Sequence, residues 1–268
     1  MNVTASLFEI QTVEKLREEE LDEARAIQNA MFPVESLRAG DVRITHEFQP
    51  VASVGGDFLD YFQLTDGSIG LYLGDVSGKG LPAAMYAALA VGALRGVHKT
   101  GEAPGKVLST LNRRLLVRGM PRRYSATQYA VFHPRTREMH IASAGLPGPF
   151  HVSQPCLKHP GPKHQGCRAL DIPGMPVGLF EVAQYETATV KFEPGDAMIF
   201  CTDGITEAFN IHGESFGTER VARICEVERQ ASPPKFLSQI FAAVERFTQG
   251  REQHDDMAAV VFQYVPRR

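Results

Sequence analysis

Between residues 42 and 73 apolar positions recur in short runs separated by polar ones, at 42–48, 58–64 and 69–73, a pattern that predicts β-strands. The segment Thr65-Asp66-Gly67-Ser68 between the last two predicts a tight hairpin turn. The pattern then changes. Residues 81–98 are rich in Ala, Leu and Met, carry Pro82 in the first turn, and are apolar around most of the circumference, which predicts a largely buried helix. Residues 104–118 repeat with helical period on one face only. Two further strands, 129–132 and 139–144, flank the turn His133-Pro134-Arg135-Thr136-Arg137. The sheet is expected to continue through 185–192 and 197–201, joined by Glu193-Pro194-Gly195-Asp196. Helices are expected at 218–227 and 234–248, and a closing strand at 257–265.

Ahead of all this, residues 7–31 place Leu7, Ile10, Val13, Leu16, Leu21, Ala24 and Ile27 among many charges, ending at Pro33. That narrow stripe suits an exposed helix which either docks on the rest of the chain or pairs with a second copy as a short coiled coil. Antiparallel hairpins with helices inserted in two clusters indicate an α+β protein of two sheets covered by helices, not a doubly wound one. No internal repeat or linker interrupts residues 34–268, so one domain is expected there, with residues 1–33 as a leading helix. The least regular stretch, 153–176, reads as a surface loop or flap.

Charge and composition exclude more than they identify. Twenty-eight basic against thirty-one acidic residues give a net charge of −3, so bulk charge attracts neither nucleic acid nor anionic membrane. No run of eighteen apolar residues is present, and the first residues are not a basic segment followed by an apolar one. A cytoplasmic location is therefore the expectation. Four cysteines are too few for a disulfide scaffold, and Cys201 within the apolar run 197–201 reads as a reduced core thiol. Cys156, His159, His164 and Cys167 have ligand-like spacings, but the two pairs lie close together for an ordinary structural zinc site, and a histidine-bearing loop is the competing reading.

Four acidic loops carry the candidate chemistry: Gly55-Gly56-Asp57, Gly74-Asp75-Val76-Ser77-Gly78-Lys79-Gly80, Thr202-Asp203-Gly204 and Asp255-Asp256. Each interrupts or ends an apolar run. Carboxylates beside segments that must be buried need partners, and no basic residue follows any of the four closely enough to serve all of them. Hard divalent cations are satisfied by carboxylates, backbone carbonyls and water, and neighbouring glycines let the backbone approach an ion. An Asp-Gly pair alone marks only a turn, as Asp66-Gly67 does; four such loops together point to a shared metal site. A nucleotide-binding P-loop is excluded at 74–80, where three residues rather than four separate Gly74 from Gly78 and Gly80 follows the lysine. Lys79 is then expected to be a solvated loop residue. No cysteine has the glycine and arginine setting of a thiol phosphatase.

The order of these motifs resembles the metal-dependent protein phosphatase family of the type 2C fold, and within it the bacterial sporulation-protein-E and sigma-regulator branch. Val54-Gly55-Gly56-Asp57-Phe58-Leu59-Asp60 is similar to its first motif, Gly74 to Gly80 to its second, Cys201-Thr202-Asp203-Gly204-Ile205-Thr206-Glu207 to its third, and Asp255-Asp256-Met257 to its last. Ser143-Ala144-Gly145-Leu146-Pro147-Gly148-Pro149 resembles another family segment, and residues 21–33 resemble the linker helix that precedes the domain. The resemblance implies a four-layer α-β-β-α sandwich of two mainly antiparallel sheets flanked by helices, preceded by that N-terminal linker helix. It implies two ions, Mn2+ or Mg2+: Asp75 bridging them with help from the Val76 carbonyl, Asp203 and Asp255 holding one, Asp57 binding directly or through water, and Asp256 either a further ligand or a loop cap.

Such ions activate water and neutralise phosphate oxygens, so no protein nucleophile is required. The implied activity is hydrolysis of phosphoserine or phosphothreonine on a regulatory protein, in that branch often an anti-sigma-factor antagonist. A sensor or activator protein is expected to act through the leading helix, and Leu16, Leu21, Ala24 and Ile27 are the expected contacts of a homodimer. Two positions depart from the pattern: Leu146 stands where the family commonly has histidine, and Ala258 where it has a hydroxyl residue. They motivate the competing reading of a catalytically weak regulatory or binding module with the same fold.

Overall fold

The computed structural model describes residues 3–117, 123–154 and 166–266. Helix α1 (Val3–Asn29) leads into β1 (Leu37–Ala39), β2 (Val42–Gln49), β3 (Phe58–Gln63) and β4 (Ile69–Val76). Helices α2 (Gly80–Arg95) and α3 (Pro104–Leu116) follow, then β5 (Ser125–His133), β6 (Glu138–Ala144), β7 (Phe150–Ser153) and β8 (Gly166–Ala169). The remainder is β9 (Ala188–Lys191), β10 (Ala197–Cys201), the single turn α4 (Asp203–Thr206), α5 (Gly217–Val227), α6 (Pro233–Thr248) and β11 (Met257–Tyr264).

The strands form two antiparallel sheets, ordered β1-β2-β11-β10-β7-β8 and β3-β4-β5-β6-β9. Three apolar clusters fix how they stack. One, with Ile44, Leu71, Phe132, Phe200 and Phe262, fills the space between the sheets. A second joins Tyr72 and Tyr129 of the five-stranded sheet to Ala87, Leu94, Leu108 and Leu111 of α2 and α3. The third joins Ile199 and Val261 of the six-stranded sheet to Val221, Phe236 and Ile240 of α5 and α6. Burial on both faces of each sheet, required when helices cover the outside, therefore gives the expected α-β-β-α sandwich. Strand β11, buried at every position, lies near its centre.

The expected turns hold at Asp66-Gly67, where Gly67 takes φ +83°, and at 133–137, where Arg137 takes φ 59°. The turn 193–196 has a different role from the one expected. It carries the chain from β9 in one sheet to β10 in the other, and buried Asp196 pins it by accepting the amides of Glu193 and Gln154, both at 2.9 Å. The 153–176 stretch contains strand β8, which pairs with β7 from Phe150↔Ala169 to Ser153↔Gly166. Cys156, His159 and His164 lie outside the described residues, while Cys167 lies on β8. Cys201 is a buried free thiol in β10, and burial pushes it up to about 12. Among the described residues no helix is long and apolar enough to cross a membrane.

Helix α1 docks through its C-terminal part. Leu21 and Ala24 are half-buried and Gln28 is buried, whereas Val13, Leu16 and Ile27 remain exposed. Phe32, just beyond the helix, stacks on Phe48 of β2 at 4.7 Å. Arg95 of α2 donates to the Met31 carbonyl at 2.8 Å and to Asp60 of β3 at 3.3 Å.

Candidate metal centre

The four acidic loops, far apart in the chain, meet at one edge of the sandwich. Asp57 immediately precedes β3, Asp75 is the penultimate residue of β4, Asp203 opens α4 directly after β10, and Asp255-Asp256 precede β11. Strand β4 runs further than its apolar pattern predicts, because Asp75 and Val76 pair with Ala126 and Ser125 of β5. Ser125 also donates its hydroxyl to the Asp75 carbonyl at 2.9 Å. The main chain at Asp75 is thus fixed by a strand ladder.

Close approach explains the glycines. A Cβ on Gly55 would run into the Asp256 carboxylate, one on Gly204 into the Asp256 carbonyl, and one on Gly56 would sit 2.9 Å from the Val76 carbonyl oxygen. The four loops are therefore packed backbone to backbone in two pairs, the first against the second and the third against the last.

Electrostatics shows the cost of bringing these acids together. Asp57 is fully buried and its carboxyl is held well above the usual range by burial, then by Asp75 and Asp256. Asp75, in hydrogen-bond contact with Asp57, is pushed up to about 7 by burial, then by Asp203 and Asp255. Asp203 is raised by burial, then by Glu207 and Asp255. Acids this close cannot all ionise without a cation. The nearest recorded basic group is Lys79, whose ammonium lies 3.5 Å from the Asp255 carboxylate with both side chains partly exposed. Lys79 is thus an ion-pair partner at the rim, where the sequence suggested only a solvated residue; one exposed pair is worth little.

Asp256 is used differently. Its two carboxylate oxygens accept the amides of Val51 at 2.8 Å and Gly56 at 2.6 Å, so it is buried as a brace for the loop that carries Asp57. Three further residues bear on the site without having been singled out in the sequence. Thr202 donates to Asp57 at 2.8 Å while its hydroxyl accepts the Ala258 amide at 3.0 Å, tying the first, third and last loops together. Arg123 donates to the Ser77 carbonyl at the mouth of the second loop. Buried Gln28 of α1 grips Gly55 from both sides, donating to its carbonyl at 2.7 Å and accepting its amide at 3.0 Å. A polar residue at the spacing of Leu21 and Ala24 is the signal for Gln28, and Thr202 stands in the third acidic loop without its hydroxyl having been given a role; Arg123 has no signal without the fold.

Among the described residues no three His, Cys, Asp or Glu side chains form a ready-made shell around one point. The donor set is nevertheless the one a hard cation takes: carboxylates crowded until their protons are retained, with backbone carbonyls alongside. The residues fit divalent metal in chemistry, with Asp57 against Asp75 and Asp255 beside Lys79.

The two stacked antiparallel sheets flanked by helices are the fold of the type 2C phosphatase class. Residues 65–265 match the family model described as stage II sporulation protein E (SpoIIE), and the chain belongs to that family. It is 24% identical over 212 residues to phosphoserine phosphatase RsbU of Bacillus subtilis (79% of this chain, 60% of that protein). It is also 26% identical over 230 residues to protein IcfG of Synechocystis sp. (75% of this chain, 35% of that protein). The chain thus spans 60% and 35% of these relatives' length. Among solved structures it is similar to the SiaA-PP2C domain of Pseudomonas aeruginosa, with a TM-score of 0.80, 20% identity, and 94% and 98% of the two chains covered. It is similar also to RsbX in complex with magnesium, with a TM-score of 0.61, 15% identity, and 85% and 98% covered.

Proposed function

We propose that this chain is a metal-dependent phosphatase that hydrolyses phosphoserine or phosphothreonine on a regulatory protein, an anti-sigma-factor antagonist being the leading candidate. The observation that carries the reading is the convergence of Asp57, Asp75, Asp203 and Asp255 without enough positive charge to neutralise them. Asp75, the Val76 carbonyl, Asp203 and Asp255 would hold two Mn2+ or Mg2+ ions, with Asp57 binding directly or through water. We assign Asp256 to bracing the Asp57 loop rather than to the ligand set. When bound, the ions supply an activated water and charge neutralisation for phosphate oxygens. The chain's own residues position that chemistry: Thr202 and Gln28 fix Asp57, the β4–β5 ladder fixes Asp75, and the close-packed glycines keep the four loops together.

Manganese-dependent turnover of a small phosphate ester and of phosphopeptides, compared with Asp75→Asn and Asp203→Asn, tests the reading; an unmodified chain no faster than the variants ends it. The rival, a catalytically weak module, takes its motive from Leu146 and Ala258. Leu146 is packed in the core between the sheets, and Ala258 meets the Thr202 hydroxyl through its backbone amide, so a hydroxyl is present there from the residue that follows β10. Neither position withdraws a proposed ligand. Replacing that hydroxyl tests its role: Thr202→Val removes a hydrogen bond to a charged group, worth about 1.5–3 kcal/mol, and should lower kcat/KM about tenfold or more with the fold retained by circular dichroism.

Residues 1–33 are proposed as a switch helix for a sensor or activator, with residues 34–268 as the phosphatase domain. Support comes from Gln28 and from Arg25, which donates to the Ser53 carbonyl at 3.0 Å, because both reach the Asp57 loop directly. Exposed Leu16 and Ile27 suit pairing with a second copy, whereas Leu21 and Ala24 face the domain. Light scattering at high concentration should read a dimer that Leu16→Glu with Ile27→Glu dissociates; a monomer throughout rules the pairing out.

A further inference from the structure

A cavity of about 490 Å³ lies between α6, the outer face of β2 and the chain that follows α6. It shares walls with the proposed metal centre: Gly204 follows Asp203, and His254 precedes Asp255. Gln253 makes that common wall firm, its amide donating to the Asp255 carbonyl at 2.7 Å and to the Gln49 carbonyl at 2.9 Å. The size falls within the range of about 300–1,000 Å³ typical of ligand sites.

The lining has two characters. Phe209, Phe241 and Met257 give it apolar sides, while Glu47, Glu245 and Glu252 bring carboxylates to it. No salt bridge engages any of those three among the described residues. Burial raises the Glu47 carboxyl above its ordinary value. The lining's own cation, Arg251, is already committed: it donates to the Asn210 carbonyl at 2.7 Å and its guanidinium stands 5.6 Å from the centre of the Phe209 ring. His254 packs against the same ring. A ligand suited to these walls has a slender apolar stem and a positive head, which is the build of an arginine or lysine side chain.

We propose that this cavity is a specificity pocket for a basic side chain of the phosphoprotein substrate, seating the stem between Phe209 and Phe241 and the charge toward Glu47 and Glu245. The proposal rests on the phosphatase reading for the placement of the phosphoserine, and it narrows the substrate to a phosphorylated segment with an arginine or lysine near the modified residue.

The test is binding rather than turnover. Peptides carrying a non-hydrolysable phosphonate in place of the phosphoserine, with one arginine at successive positions on either side of it and each matched by a norleucine peptide, are titrated against the full chain with Mn2+ by fluorescence polarisation. At one or two positions arginine should bind about tenfold tighter, the scale of one charge-assisted contact. The preference should fall to near unity in the double variant Glu47→Gln, Glu245→Gln, with folding checked by thermal melting. No preference at any position, or one that survives the double variant, overturns the proposal. So does free agmatine that competes equally against arginine and norleucine peptides, since it assigns the cavity to a small soluble cation. Turnover of a small phosphate ester by the unmodified chain reads the phosphatase assignment separately. An arginine preference without that turnover sinks the assignment and leaves the pocket standing as a phosphopeptide-binding feature.

Discussion

Asp75→Asn should abolish manganese-dependent phosphatase activity, by at least about 10²–10³-fold, and at the same time make the metal-free protein more stable. The two effects share one cause. Asp75 is held at about 7 by burial and by Asp203 and Asp255, against an ordinary carboxylate value near 4 in the unfolded chain. A group whose folded value is raised favours the folded state below its unfolded value, and that advantage is lost as pH rises through the folded value. Between about pH 4 and 7 the metal-free protein should therefore lose stability from this group, and above about 7 the full penalty applies. Asparagine keeps the shape and removes the charge. At pH 8 without metal it should stabilise the fold by roughly 1–3 kcal/mol, seen as a higher Tm in EDTA. Adding Mn2+ should raise the Tm of the unmodified chain and leave that of Asp75→Asn nearly unchanged, because binding of an ion to the folded state stabilises it by mass action. A variant that is inactive but no more stable in EDTA, and that still responds to Mn2+, would show that Asp75 is neither crowded nor a ligand.

Much of this arrangement was legible from residues alone, and the parts that were not share a physical reason. The layer architecture followed from period and burial, since hairpin strands such as 69–73 and the broadly apolar α2 leave few ways to cover both sheet faces. The acidic loops were visible because charge beside a buried run is conspicuous. Gly74 and Asp75 break the apolar run of β4, so its pattern ends before the strand does, and ladder pairing with β5 carries the strand through them. The short strands β7 and β8 lacked enough residues to show a period. The turn 193–196 was recognisable as a turn, but its destination depended on which sheet receives Met198 and Phe200, a tertiary choice that turn chemistry does not contain. Asp255 and Asp256 are neighbours with the same chemistry. Only the fold separates them, by giving the Asp256 oxygens two amides and leaving Asp255 facing Lys79.

Gln28→Leu is expected to be the most damaging change outside the acidic loops, even though it touches no phosphate and no proposed ligand. Gln28 satisfies both the amide and the carbonyl of Gly55 in a buried setting, at 3.0 and 2.7 Å. Leucine is close in size and removes both partners at once. An orphaned buried polar group costs about 1–3 kcal/mol, so with two of them the loop loses roughly 2–6 kcal/mol of preference for this conformation. Gly55 is packed against Asp256, and Gly56 is held by it, so the loop cannot relax in place. It should instead move as a unit and take Asp57 with it. With about 1.4 kcal/mol per tenfold of population, kcat/KM should fall about 10–10²-fold or more, and the Mn2+ concentration for half activity should rise. The pattern distinguishes positioning from global damage. Helix α1 is otherwise exposed over much of its length, so overall Tm in EDTA should fall by only a few degrees. If Gln28→Leu keeps full activity and metal response, α1 does not set the Asp57 loop, and control of the site through this helix loses its structural basis.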